Sequence, residues 1–290
     1  MQVPPNLYKY TTQSTAKIVL ETGRLRWSSP ELFNDPSEFQ RIPRFDPPLK
    51  EALNTLTQVL VEAALGRGEI DEARLSGLSR HMFLLFKFGF ANGIQPEDFL
   101  KNDERETREL DQMYQELIRS YFGTAFIRQA RVMCLTANNM NPAMWANYAG
   151  NHTGCVLGFR HIPEKSTAFT KARPVTYSSE PPVLCSGLDF CLYFNKLGIG
   201  QRVMDLVCFT KRSEWQYEQE WRVVTWRSDE GNALFGDYIF LPQELESITF
   251  GLRTPKEEKD ILRSIVSDHF PDCTIYQIKI KNGEIYRSPE

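Results

Sequence analysis

The sequence has no apolar run of the roughly 20 residues that a helix needs to cross a bilayer, and no basic run of the sort that grips a phosphate backbone. Its 34 Lys and Arg are outweighed by 37 Asp and Glu, and the net charge of −3 argues against a general nucleic-acid binder. A local basic groove is the most that this balance leaves room for. Paired cysteines are also missing. The six cysteines, at 134, 155, 185, 191, 208 and 273, are scattered through apolar settings such as Val132-Met133-Cys134-Leu135. None has a His at a ligand interval, which argues against a zinc site. No G-x-x-x-x-G-K-[ST] or G-x-G-x-x-G loop is present, which disfavours ATP and a Rossmann cofactor. No Ser-His-Asp set emerges from spacing. With no signal peptide either, free thiols in a reducing cytoplasm are the expectation, and no membrane contact is expected.

What is present is enough apolar material for a real core. The chain has 290 residues, 41% apolar and 12% aromatic, a length that suits one large domain or two small ones. Residues 6–10 read as a short strand. Thr11 and Thr12 can cap a helix over Gln13 to Thr22, with Ala16, Ile18, Val19 and Leu20 as its apolar face and Gly23 ending it. Helical spacing then dominates from about Pro47, through Leu53, Leu56, Val59, Leu60, Ala63 and Ala64, then Leu75, Leu78, Met82, Leu85 and Phe86, then Leu110, Met113, Tyr114, Leu117 and Ile118. Strands resume after Gly123, at 131–136, 155–159 and 173–177. A short helix is expected over 143–148, mostly helix over 187–210, and strands at 220–227, 237–241, 246–251 and 273–281. Thr254-Pro255-Lys256-Glu257 reads as a capping box opening a helix to about His269. The fold class expected is α+β: a β-rich frame over 1–46 and 123–290 with a helical insertion at 47–122.

The most informative stretch is Trp215-Gln216-Tyr217-Glu218-Gln219-Glu220-Trp221-Arg222. Two carboxylates stand two residues apart where an aromatic strand begins, and on extended backbone that spacing points both to one face. Like charges held so close cost free energy, so a fold that places them together tends to use them. The alternative is an exposed strand entry with both acids solvated. Arg222, two residues on, either neutralises the pair or offers its planar fork to a phosphate.

Read together, Lys9-Tyr10, Phe33-Asn34-Asp35-Pro36, Trp145-x-x-Tyr148-x-x-x-His152-x-Gly154 and Trp215 to Arg222 resemble a widespread bacterial family of unknown function, over residues 7 to about 270. More distantly, the opening from Leu7 through Gly23-Arg24-Leu25 resembles that of ADP-ribosyltransferase-like proteins, with Lys9 standing where those carry His or Arg. Glu218-Gln219-Glu220 is similar to the acidic element of their arginine-modifying branch. That resemblance implies a sheet frame of the same form. It also implies NAD as the consumed substrate, Glu220 as the catalytic acid and Glu218 as the group that orients the acceptor. The acceptor would be a protein or a nucleic acid, and toxin or phage-defence roles are implied by analogy.

Each remaining candidate carries two readings. Lys9 is a cation for a pyrophosphate or an edge-strand Lys that blocks aggregation. Tyr10, with Tyr8, either stacks on a ring of the ligand or packs in the core. His152, in a turn before a strand, either reaches into a cleft or is structural. Tyr148, three residues after Trp145 on a short helix, either lines the site or packs. Lys211 and Arg212 could form a basic rim, and Asn34 and Asp35 hold their turn. Two rival functions stand beside the transferase. One is a metal-assisted nuclease using Glu218, Glu220 and Asp35. The other is a non-catalytic sensor or interaction module.

Overall fold

The computed structural model describes residues 2–100, 110–121, 124–165, 167–194, 197–227 and 233–290. It is mixed helix and strand, and it divides into two compact units: Met1–Pro36 with Thr124–Ser179 and Lys211–Glu290, and Ser37–Gly123 with Glu180–Thr210.

The first unit is built on one sheet. Its strands are β1 (Asn6–Thr11), β2 (Arg24–Ser28), β3 (Ala130–Thr136), β4 (Cys155–Arg160), β5 (Arg173–Pro174), β6 (Glu220–Trp226), β7 (Phe235–Ile239), β8 (Leu245–Phe250), β9 (Thr274–Lys281) and β10 (Glu284–Pro289). They run in the order β7-β2-β3-β1-β4-β8-β9-β10, with β6 pairing β3 on one side and β5 on the other. Within this sheet, β8–β9 is the one parallel pair among the described strands; the other recorded pairings in it are antiparallel. The crossover between those two is the helix Lys256–His269, as a parallel connection requires.

Thr12 accepts the N–H of Thr15 at the start of α1 (Gln13–Thr22), and Gly23, at φ 62°, closes that helix by donating its N–H to Val19. The buried stripe of α1 is Ala16, Val19 and Leu20, whereas Ile18 points outward and is 58% exposed. A helix turns 100° per residue, so 18 cannot share a face with both 16 and 20. The expected capping box at Thr254 does not form. Its hydroxyl donates to the Gly154 and Gly251 carbonyls instead, and Pro255 is the residue that flanks the helix.

Strand β6 shows why the sheet has two chemically different faces. Trp221 and Val223 enter the main core with Met133 and Leu135 of β3, while the alternate residues Glu220 and Arg222 stand opposite Thr136 and Cys134. Gly154, just before β4, is a close-approach position. A Cβ there would lie 2.2 Å from the Thr11 carbonyl oxygen.

The second unit is largely helical, with Leu49–Ala64, Gly77–Ala91, Leu110–Tyr121, Gly187–Tyr193 and Ile199–Cys208 as its longer helices. Its core includes Leu56, Leu60, Val61, Phe83, Phe86 and Leu192. The insertion expected at 47–122 contains residues 101–109 and 122, which lie outside the described residues. Residues 180–210 fall with these helices rather than with the sheet. The reason is packing: Leu192 completes the helical core, and Ser76 and Ser79 both donate to the Cys191 carbonyl. On Gly77–Ala91 the buried stripe is Ser79, Phe83, Phe86 and Gly89, while Leu78 and Leu85, read as core by spacing, face outward.

Candidate functional site

Glu218 and Glu220 do come together, though not by alternation along a strand. Glu218 ends a 3₁₀ segment (Ser213–Glu218), Gln219 takes the left-handed conformation at φ 45°, and Glu220 is the first residue of β6. The turn at Gln219 takes the backbone out of the extended geometry on which the sequence reading relied. What joins the acids is a base. The Lys211 ammonium donates to Glu218 Oε2 at 2.6 Å and to Glu220 Oε2 at 3.1 Å. On the strand itself, Arg222 donates from Nε to Glu220 Oε1 at 2.6 Å and from Nη2 to Oε2 at 2.9 Å, a two-point grip on one carboxylate.

Neighbouring elements fix both acids further. Tyr148, at the end of the helix Pro142–Tyr148, donates its hydroxyl to Glu218 Oε1 at 2.6 Å. Thr136 on β3 donates to the Glu218 carbonyl at 2.6 Å, and the Glu220 N–H donates to the Tyr177 hydroxyl at 2.8 Å. The side chains of Lys211, Glu218, Glu220 and Arg222 are all buried, none above 6% exposed.

The four charges cancel, which is what makes their burial tolerable. Burial alone would raise the Glu220 carboxyl, but the Arg222 guanidinium and the Lys211 ammonium overcome it and hold the group below the usual carboxylate range. Tyr148 is pushed the other way, upward, by burial and then by the Glu218 carboxylate that its hydroxyl serves. Burial, then Glu220, also raises the Cys134 thiol. The cluster therefore presents a fixed, ionised carboxylate beside neutral phenols and a protonated thiol.

Of the residues singled out from sequence, Glu218, Glu220, Arg222 and Tyr148 meet directly. Asn34 partly offsets the rise in the Tyr148 pKa, and Asp35 accepts from the Trp215 indole at 3.1 Å. Lys9 is no edge lysine, since β1 lies between β3 and β4. Its ammonium donates to the Cys134 carbonyl at 3.1 Å, and burial lowers its pKa, with Cys134 and Glu220 opposing. Tyr10 is core. Its ring meets Trp145 edge-on, and its hydroxyl donates to the Asn138 carbonyl and accepts from the Asn141 N–H. His152 stacks parallel to Trp145 with centroids 6.1 Å apart, and its pKa is lowered by burial and by Arg253. Its Nδ1 is buried without a hydrogen-bond partner, and among the described residues its backbone bonds run to Trp145 and Arg253 and not to the acids. Residues 144–223 match a family described as protein of unknown function (DUF2971). The DUF2971 match takes in Tyr148, Tyr177, Lys211, Glu218, Glu220 and Arg222, and leaves Lys9, Thr136 and Cys134 outside it. No curated protein and no solved structure matches the chain.

Sequence reasoning placed Lys211 on a rim, whereas it is the centre of the cluster. It missed Tyr177, Thr136 and Cys134 altogether. The signal for Thr136 and Cys134 lay in strand pairing, because residues opposite Glu220 and Arg222 must share their face. For Tyr177 the sequence held none. Among the described residues no group of three or more His, Cys, Asp or Glu side chains converges as a metal cage.

Proposed function

We propose that the cluster is the reactive centre of an NAD-consuming, ADP-ribosyltransferase-like enzyme that modifies a protein or a nucleic acid, on a sheet frame of that form. The observation that carries the reading is Glu220: a buried carboxylate held ionised and aimed by Arg222 and Lys211. In such a transfer the C1′–N bond of the nicotinamide riboside breaks. Its electron pair neutralises the pyridinium, and positive charge builds on the ribose. A carboxylate on the 2′-hydroxyl stabilises that charge in the transition state. The acceptor's nucleophile then bonds to C1′ and gives up its proton to solvent water. Glu220 takes the ribose. Glu218, steadied by Tyr148, orients the acceptor. Of the three hydrogen bonds that Lys211 and Arg222 donate to the Glu220 carboxylate, the 3.1 Å one from Lys211 is the longest, and it is the one a ribose hydroxyl replaces.

The complete mutual pairing of the four charges also suits a second reading, a recognition module in which the cluster only holds the fold. Nicotinamide release separates the two. Wild type and Glu220→Gln, each shown folded by circular dichroism, are incubated with NAD and cell lysate. Release by wild type that is lost in the variant and indifferent to EDTA supports the transferase. No release, and no NAD binding by calorimetry, overturns it.

A further inference from the structure

A second feature of the sheet unit lies on the opposite face of the same strands. Met133 points away from Cys134 and the charged cluster, toward a pocket of about 270 Å³ that Trp27 and Tyr238 also line. That volume is several times the roughly 30 Å³ share of a liquid water. Trp27 and Tyr238 form a tilted pair with centroids 4.8 Å apart, and Phe169 adds a third aromatic wall. Such walls suit a flat ring.

The polar groups are fewer and more telling. Glu244, 2% exposed, caps its own 3₁₀ turn by accepting the Leu241 N–H at Oε2, 2.7 Å away. Its other oxygen, Oε1, is buried with no hydrogen-bond partner, and so is the Thr167 hydroxyl. Both residues line the pocket, as does the exposed Lys165. Buried polar atoms in folded proteins find partners. Here two unpartnered oxygens, an acceptor and a hydroxyl, belong to residues that line an aromatic-walled space, with the exposed Lys165 on the same wall.

We propose that this pocket binds an aminated heteroaromatic ring of the nucleobase class. The exocyclic N–H donates to Glu244 Oε1, and ring nitrogens accept from Lys165 and the Thr167 hydroxyl. An aliphatic amine offers no acceptor, and a carboxylate is repelled by Glu244. The proposal is independent of the function assigned to the acid cluster.

The test is binding of free adenine, with hypoxanthine as the comparison because it carries a carbonyl where adenine carries the amine. Titration calorimetry on the whole chain is expected to show saturable, one-site binding of adenine and weaker binding of hypoxanthine. Glu244→Gln can keep the Leu241 cap with its amide oxygen while turning an –NH₂ into the pocket. It is expected to weaken adenine by about tenfold or more and to reverse the preference between the two bases. Ala168→Leu, which fills the pocket from its wall, is expected to abolish binding of both. No saturable adenine binding to folded wild type overturns the proposal. Binding that survives both variants with its preference unchanged does so too. NAD turnover plays no part in either readout.

Discussion

Replacing Lys211 by Met keeps the length of the side chain and removes only the ammonium that bridges the acids. Glu220 retains both of its Arg222 contacts, and Glu218 retains Tyr148, so the loss concentrates on Glu218 Oε2, whose 2.6 Å partner is gone. Removing one member of a buried pair costs about 3–5 kcal/mol. Because the remaining contacts hold, the lower end applies, about 3 kcal/mol, or a fall of roughly 6–12 °C in the unfolding midpoint of a unit this size. The pH dependence gives a sharper test. In wild type the Glu220 pKa is depressed, so its contribution is present above its ordinary value and lost as pH falls through the folded one. In the variant two carboxylates face each other with a single guanidinium, and one of them rises above its ordinary value. A raised carboxyl contributes below its unfolded pKa and loses that contribution as pH rises through the folded pKa. The raised carboxyl of the variant narrows the gap between wild type and variant as pH falls toward 4.5, so the deficit at pH 7 should shrink there. Thermal melts of wild type, Lys211→Met, Glu218→Gln and the double variant close the cycle, with a coupling of about 2 kcal/mol expected. A loss under about 1 kcal/mol that is equal at both pH values would show that the bridge behaves as an exposed pair, and the reasoning would fail.

Tyr148→Phe removes the hydroxyl that donates to Glu218 Oε1 and should cost about 2 kcal/mol by urea unfolding. An unchanged midpoint would mean that the phenol does not hold the acid. Gly154→Ala places a Cβ 2.2 Å from the Thr11 carbonyl and 3.0 Å from that of Ala149. It should lose about 3 kcal/mol or more, and a wild-type melting temperature would refute the close approach. Wild type should lose stability progressively as pH falls from about 4, where the unfolded carboxyl begins to bind its proton, to about 2, where the folded Glu220 carboxyl does. Glu220→Gln should show a flatter acid limb in the same melts.

How far the sequence could be read follows from which rules are local. The Thr12 cap, the Gly23 stop and the short helix expected over 143–148 are each set within a few residues, and the structure shows all three, the last as Pro142–Tyr148. Ile18, Leu78 and Leu85 were misplaced because apolar identity was counted without following the helical rotation that turns them to solvent. The acid pair was legible as residues but not as geometry. The left-handed turn at Gln219 breaks the two-residue alternation, and no pattern marks a Gln for that conformation. Lys211 was read from its neighbourhood on the chain, whereas its position depends on tertiary pairing that a single sequence does not carry.

The alternation along β6 also explains why the charges had to arrive as a balanced set. Its apolar residues fill the core, so Glu220 and Arg222 must point to the other face, and that face is covered rather than solvated. A single ion buried there could not be tolerated, and Glu218 brings a second negative charge that Lys211 answers. Four charges that balance among themselves exert little net pull on a pyrophosphate, so they recognise a ligand chiefly by exchanging hydrogen bonds. That is the physical reason for assigning the ribose hydroxyl, and not the phosphates, to Glu220.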